Sequence, residues 1–367
     1  MTRQITIYHL MFLYVMTAGI LNHVIIVSPL YEVAGRDAWV AIIFCYLVYS
    51  VWVFTAYKIV KATNKENIYQ WVKKNCGKKW ANFLYFFIFV YLFVSCFVTI
   101  KDLTVWTSST FLPQTPIIVL VLSFVTLTVA MASTSINSIV IVNGILLPIV
   151  VILGFFIGIV NMPKKDYDLL FPIFEYGFTQ TLLGSIYVGV GMIEAMIVVF
   201  LQHYIKGEVK YHHFLIIGIL CVWLTMGPVA GGIAAFGPYK ASLLLFPAYE
   251  QWALGSISRF LEHFDFFSIY QWLSGAFIRV SLFLFMIVDV ISPDNAKKRQ
   301  KILVILGILL IILTMIQVDY NTHFMLLGKY VLPSLLALML FISFLITFMI
   351  FLGKRRKKKN ETLSPAK

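Results

Sequence analysis

Charge is the scarcest commodity in this chain. Asp, Glu, Lys and Arg make up only 12% of its 367 residues, about half the share of a soluble domain. A surface that poor in charge excludes a soluble enzyme or soluble binding module. Cysteine is scarce too. Cys45, Cys76, Cys96 and Cys221 stand far apart, without the paired spacing of a zinc site or redox motif, so buried, reduced thiols are expected and no metal centre. The chain has no His-Glu-x-x-His, no Gly-x-Ser-x-Gly and no Gly-x-x-x-x-Gly-Lys. Those absences remove the zinc hydrolase, the serine nucleophile and the nucleotide-driven step, so neither an enzyme nor a cofactor is expected. Acidic residues are few, 16 against 29 basic. The excess does not point to nucleic acid, because the basic residues flank the ends of apolar runs, the pattern that orients membrane proteins.

What the chain has instead is apolar length. Hydrophobic residues are 60% of the total and aromatics 16%, which identifies an all-α polytopic membrane protein. Runs of spanning length predict ten helices, at 7–28, 38–60, 83–104, 117–132, 138–160, 178–201, 213–235, 270–290, 302–318 and 329–352. The first run is too long for the core of a signal peptide, only Arg3 precedes it, and no small-x-small site follows. Residues 1–353 thus read as one transmembrane domain and 354–367 as a basic tail. Most Lys and Arg fall near Arg3, in 58–79, in 206–210, in 297–301 and in the tail. The exceptions are Arg36, Lys101, Lys164, Lys165, Lys240, Arg259, Arg279 and Lys329. That asymmetry places both termini in the cytoplasm.

Two loops carry their own pattern. In 64–82, Tyr69, Trp71, Val72 and Trp80 among lysines predict a short helix at the anionic inner leaflet, in contact with membrane lipids. In 237–267, Tyr249, Trp252, Ala253, Ile257, Phe260, Leu261 and Phe264 recur at helical spacing. They predict one or two amphipathic helices over the outer mouth, either as a gate or as a fixed cap.

Five runs precede Pro163 and five follow. An odd number per half gives the halves (about 5–162 and 170–353) opposite orientations, an inverted repeat. The first helix carries Thr17-Ala18-Gly19-Ile20-Leu21-Asn22-His23 at its middle, and the sixth carries Gly184-Ser185 and Gly189-Val190-Gly191. Gly-interrupted spans at matching positions of two halves point to a binding site, and exposed backbone at that depth is permitted where it lines a cavity. Helices 1 and 6 are therefore expected to break there. Helix packing is the competing reading, as for Gly154–Gly158 and Gly227–Gly231. Broken ends suit an amino acid: resumed N-termini attract a carboxylate and freed carbonyls attract an ammonium. On this reading Thr17, Ala18, Gly19 and Ile20 face Tyr187, Gly189 and Gly191, with Ser95 and Ser281 supplying hydroxyls.

Ionisable groups inside a span each need a reason. Glu194 and Arg279 lie near the middle of the sixth and eighth spans, Lys101 and Asp102 at the outer end of the third, and Asp289 at the inner end of the eighth. Two readings of Glu194 and Arg279 stand: a substrate or ion path, or a buried pair that fixes the helices. Asp289, near Ser292-Pro293-Asp294, reads as a helix-end residue. His9 and His23 read as rings hydrogen-bonded to neighbours.

The order of several stretches is also informative. Gly19-Ile20-Leu21 is followed by Pro29, then by Ala34-Gly35-Arg36-Asp37-Ala38-Trp39. Phe111-Leu112-Pro113-Gln114-Thr115-Pro116 precedes the fourth span and residues 172–177 the sixth. Arg259-Phe260-Leu261-Glu262-His263-Phe264-Asp265, Trp272 and Gly275-Ala276-Phe277-Ile278-Arg279-Val280-Ser281 lead into the eighth. In this arrangement the chain resembles the spore germination permease family, the B subunits of nutrient germinant receptors, within the amino acid, polyamine and organocation transporter superfamily. The resemblance implies a leucine-transporter-like fold in the spore inner membrane. It also implies a small germinant, often an amino acid, and partner A and C subunits that read its binding. A proton-coupled amino acid permease acting alone is the alternative of the same fold.

Overall fold

The structure, a computed structural model, describes residues 5–175, 177–258, 261–262, 264–291 and 295–363. Arg3, Tyr176, Arg259, Phe260, His263, Ser292, Pro293, Asp294 and Lys367, all singled out above, lie outside the described residues.

Almost every described segment is helical, because a chain crossing hydrocarbon must satisfy its backbone internally. The chain begins with α1 (Ile7–Ile20), α2 (Val27–Ala34), α3 (Ala38–Ala62), α4 (Ile68–Cys76) and α5 (Lys78–Thr110). It continues through α6 (Ile117–Ala132), α7 (Ile136–Val160), α8 (Phe178–Met192), α9 (Ile197–Phe200) and α10 (Tyr211–Phe236). Two short helices follow, α11 (Pro238–Leu243) and α12 (Pro247–Ala253). The last four are α13 (Phe266–Ile291), α14 (Ala296–Thr314), α15 (Tyr320–Leu326) and α16 (Leu332–Leu363). Among the described residues, strand pairing is confined to two scraps. β1 (Ile5–Thr6) runs parallel to β2 (Ile205–Lys206), and β3 (Ser256–Ser258) antiparallel to β4 (Leu261–Glu262).

Eight helical stretches of the described residues are long and apolar enough to cross a membrane, which makes this a multi-pass membrane protein. Of the ten expected spans, α6 and α14 fall short by that measure. The first has 16 residues, and the second opens on Lys297, Lys298, Arg299 and Lys301. The two pack side by side. Elsewhere α5 packs on α13, α3 on α10, α3 and α2 on α8, and α1 on α13 and α10.

Local chemistry sets the joints. Thr6 caps α1 in a reciprocal box with His9: the His9 N–H donates to Thr6 Oγ1 (3.4 Å) and the Thr6 N–H to His9 Nδ1 (3.2 Å). Asn67 Oδ1 accepts the Tyr69 and Gln70 N–H groups to start α4. Gly77, at φ 101°, turns the chain from α4 into α5. The helix expected in 64–82 is therefore present. Its Ile68, Trp71, Val72 and Cys76 are buried, however, and it packs on α5 and α16, so that its apolar face meets protein instead of lipid.

The 237–267 loop departs from expectation more sharply. The apolar spacing predicted helix out to Phe264, yet the chain leaves α12 at Ala253 and forms β3 and β4. Gly255, Ser256 and Ser258 fall in the stretch where helix should continue, and all three are weak helix formers.

Close helix contact is written into Gly218 on α10. A Cβ there would come within 2.3 Å of Tyr49 Cε1 on α3, while Tyr49 Oη donates to the Phe214 carbonyl at 2.8 Å. Gly218→Ala is expected to push α3 and α10 apart and cost about 1–3 kcal/mol. Thermal unfolding of the detergent-solubilised chain checks this, with Gly144→Ala, where a Cβ meets open space, as the control.

Candidate site at the first helix

The first span changes pitch in its middle. The Leu21 N–H donates to the Ala18 carbonyl, three residues back, and the Ile26 N–H to the Leu21 carbonyl (3.0 Å), five residues back. Leu21–Ile25 is a π-helical turn between α1 and α2, a distortion often found at functional sites. The sequence placed a break at Thr17-Ala18-Gly19. The backbone instead stays helical through Gly19 and departs from α geometry at Leu21. In the sixth span, α8 runs unbroken through Gly189 and Gly191, and a 3-10 turn follows at Ile193–Met196. Both irregularities thus lie just downstream of the glycines, the first a widened π turn and the second a tightened 3-10 turn.

Partners for the first of these turns come from across the bundle. With Leu21 N–H turned to Ala18, the Thr17 carbonyl accepts from Arg279 Nη1 at 3.0 Å. The same guanidinium clasps Glu194 with two parallel bonds of 2.6 Å and donates through Nε to Thr99 Oγ1 at 3.0 Å. Tyr91 Oη adds a bond to Glu194 Oε1 (3.1 Å), and the Phe283 ring lies 4.6 Å under the guanidinium. Arg279 is 1% and Glu194 0% exposed. Of the two readings left open for these residues, the structure forms the buried pair.

Asn22, inside the π turn, donates to the Val188 carbonyl and Thr225 Oγ1, each at 3.2 Å, and to Cys221 Sγ. Tyr14 Oη reaches the Gly191 carbonyl at 3.0 Å. One face of the first helix is thereby pinned to α8, α10 and α13.

The opposite face lines a cavity of about 290 Å³. Gly19, Ile20 and His23 form one wall; α7, α10, α12 and α13 form the rest. Trp223, Trp252 and Trp272 supply most of the aromatic surface. His23 Nδ1 lies 2.8 Å from the Leu224 carbonyl. Trp252 Nε1 donates to Gln271 Oε1 (3.0 Å), Gln271 Nε2 donates to the Val150 carbonyl (2.8 Å), and Trp272 stacks on Trp106 at 3.9 Å.

Of the residues expected to bind ligand, Gly19 and Ile20 line this cavity. Thr17, Ala18, Ser95, Tyr187, Gly189, Gly191 and Ser281 do not. Thr17 and Ala18 are buried, as are Ser95 and Ser281 on α5 and α13. A Cβ on Gly189 would touch Leu336, and one on Gly191 would overlap Asn22. Lys101 stands apart from the Glu194–Arg279 network: its Nζ donates to the Thr314 and Ile316 carbonyls and clamps the end of α14 to α5. Asp289 does more than end a helix. It accepts from Tyr204 Oη (2.5 Å), His203 Nε2 (3.1 Å) and Arg299 (3.4 Å), tying the C-terminal end of α13 to the segment after α9 and to α14.

Sequence reasoning missed His23, Trp223 and Gln271 as cavity residues, and Tyr14, Tyr91 and Thr99 as bracing. The available signal was the phenol: a tyrosine hydroxyl at membrane depth must find a partner. Outside the spans, the cap is fixed to the bundle by Asn161 Nδ2 donating to the Gln251 carbonyl (2.6 Å) and Gln251 Nε2 to the Pro228 carbonyl (3.0 Å). Burial in this cap holds the Lys165 ammonium below its ordinary pKa. It raises the Tyr249 phenol, which the Asp265 carboxylate raises further.

Comparison with known proteins gives a consistent picture. The family described as Spore germination protein matches residues 2–323. Spore germination protein XB of Bacillus anthracis is 37% identical over 343 residues, covering 93% of this chain and 96% of that protein.

Proposed function

This chain belongs to the spore germination protein family, and on that premise we propose that it binds a small nutrient at mid-membrane and signals germination through partner A and C subunits. It does so in the spore inner membrane, with both termini in the cytoplasm. Its two five-span halves form an inverted repeat, a reading supported by the packing together of the second and seventh, third and eighth, and fourth and ninth of the ten expected spans: α3 with α10, α5 with α13, α6 with α14.

One observation carries the reading. The π turn at Leu21–Ile25 stands between the cavity on one side and the Glu194–Arg279 pair on the other. A ligand shifts a conformational equilibrium only by binding the two states differently. A helix that is bistable in pitch, walled by the ligand on one face and braced by an ion pair on the other, supplies such states. An amino acid is the expected nutrient if its charges meet free helix ends, which requires the first and sixth helices to open further than they do here.

A Cβ at Gly19 meets only Leu224 Cδ2, at 3.7 Å. Gly19→Ala is accordingly expected to respond normally, while Gly19→Leu projects into the cavity and raises the nutrient concentration for half-maximal germination by roughly tenfold or more, the equivalent of about 1.4 kcal/mol. Spores carrying each variant, with the chain quantified by immunoblot, provide the measurement. A wild-type response from Gly19→Leu at normal abundance removes the cavity from the signalling path. Proteoliposomes of the isolated chain test the permease alternative, since robust nutrient uptake there favours transport over signalling.

A further inference from the structure

We infer that the cavity beside the first helix takes an uncharged ligand with a planar aromatic body and an N–H or O–H donor, and that His23 Nε2 is the group that receives this donor. The inference rests on the reading of this cavity as the nutrient site and specifies its ligand class.

The lining carries the argument. Among the described residues, none that lines the cavity is Asp, Glu, Lys or Arg. The Glu194–Arg279 pair lies beyond the opposite face of the first helix, with its charges spent on each other. A zwitterion placed in the cavity would leave a carboxylate and an ammonium without counter-charges, a cost that apolar contact cannot offset. The uncharged polar groups are mostly occupied as well. Trp252 Nε1 and both ends of the Gln271 amide are consumed in the chain that ends at the Val150 carbonyl. Ser268 Oγ gives its proton to the Asp265 carbonyl.

The exceptions are the Trp272 indole N–H, which has no hydrogen-bond partner among the described residues, and His23. A carbonyl oxygen only accepts, so the 2.8 Å contact with Leu224 places the ring proton on Nδ1. The neutral ring then offers Nε2 as an acceptor, and Nε2 has no hydrogen-bond partner among the described residues. This wall of the cavity thus offers an acceptor to a ligand's N–H or O–H.

Shape and surface supply the remaining terms. Trp223, Trp252 and Trp272 face the space, with Phe155 set 5.3 Å from Trp223. Trp272 is held from behind by stacking on Trp106, and Trp252 by its bond to Gln271. Fixed aromatic walls favour a flat π-system that stacks or meets ring edges. At about 290 Å³, the volume sits at the small end of ligand pockets, which suits a body of one or two rings.

The test uses the full chain in lipid nanodiscs and isothermal titration calorimetry. The probes are nicotinamide, benzimidazole and adenine as uncharged ring donors, nicotinate and L-phenylalanine as charged ring counterparts, and L-alanine. The expected result is saturable binding of at least one uncharged donor, at least tenfold tighter than nicotinate or either amino acid. Its affinity should fall about tenfold in His23→Phe, which keeps a ring in place but removes the acceptor, and binding should vanish in Gly19→Leu. If an amino acid binds more tightly than every uncharged donor and Gly19→Leu abolishes that binding, the ligand class is wrong while the cavity remains the nutrient site. Binding that survives Gly19→Leu, or no binding by any probe, also overturns the inference. In those cases the germination response of Gly19→Leu spores decides whether the cavity's role in signalling falls with it.

Discussion

Glu194→Gln is expected to lower the apparent melting temperature of the solubilised chain by roughly 5–10 °C, the consequence of about 3–5 kcal/mol lost when one member of a buried ion pair is neutralised. The reason lies in what Arg279 keeps. Its guanidinium, 1% exposed, would retain Thr17, Thr99 and the Phe283 ring but no counter-charge. Arg279→Met is expected to be as severe, since Glu194 would keep only Tyr91. The double variant Glu194→Met/Arg279→Met should recover most of the loss, because replacing both charges with apolar groups of similar volume removes the desolvation cost along with the attraction. Recovery of fold should not restore germination: without the guanidinium, the Thr17 carbonyl loses the partner that holds the first helix at its change of pitch. Additive single and double effects in the thermal scans would show that the two residues are not coupled. A wild-type response from the double variant would detach the pair from signalling.

The positions of the helices were open to reading because a bilayer leaves a long apolar run one solution, and flanking lysines mark its ends. Partner choice for Glu194 was nearly as open, since so few ionisable residues lie deep in spans that Arg279 was the natural counterpart. The irregular turns were not open in the same way. The glycines at 19 and 191 mark, in the sequence, places where backbone can give way. What bends the first helix is the placement of Arg279, Val188 and Thr225, which reach it from α13, α8 and α10. No local pattern announces partners so far away in the chain. The cavity has the same character. Trp223, Trp252 and Trp272 follow no shared period, and only the packing of α10, α12 and α13 brings them together. At the outer cap, the apolar rhythm ran on past Leu254 while the backbone preference at Gly255 changed, and the chain obeyed the backbone.

Gly191→Ala is expected to be the most disruptive single methyl in the bundle. A Cβ built there would sit 1.7 Å from Asn22 Oδ1 and 2.4 Å from Asn22 Cγ, so the amide must swing away. Its three donations, to Val188, Cys221 and Thr225, hold it where it is. Swinging it leaves buried polar groups unpaired, at about 1–3 kcal/mol for each. The expected outcome is a destabilisation of roughly 2–4 kcal/mol, together with loss of the germination response, because the π turn contains Asn22. Asn22→Ala alone should cost about 1–3 kcal/mol through the buried amide bonds to Val188, Cys221 and Thr225 that it removes. In Asn22→Ala/Gly191→Ala the new methyl faces vacated space, so the double variant should be no worse than Asn22→Ala. Such strong non-additivity is the signature of two residues competing for one volume. Thermal unfolding of the three variants measures it directly. Additive losses would mean that Gly191 serves backbone freedom in α8, as the sequence first suggested, and that its closeness to Asn22 is incidental.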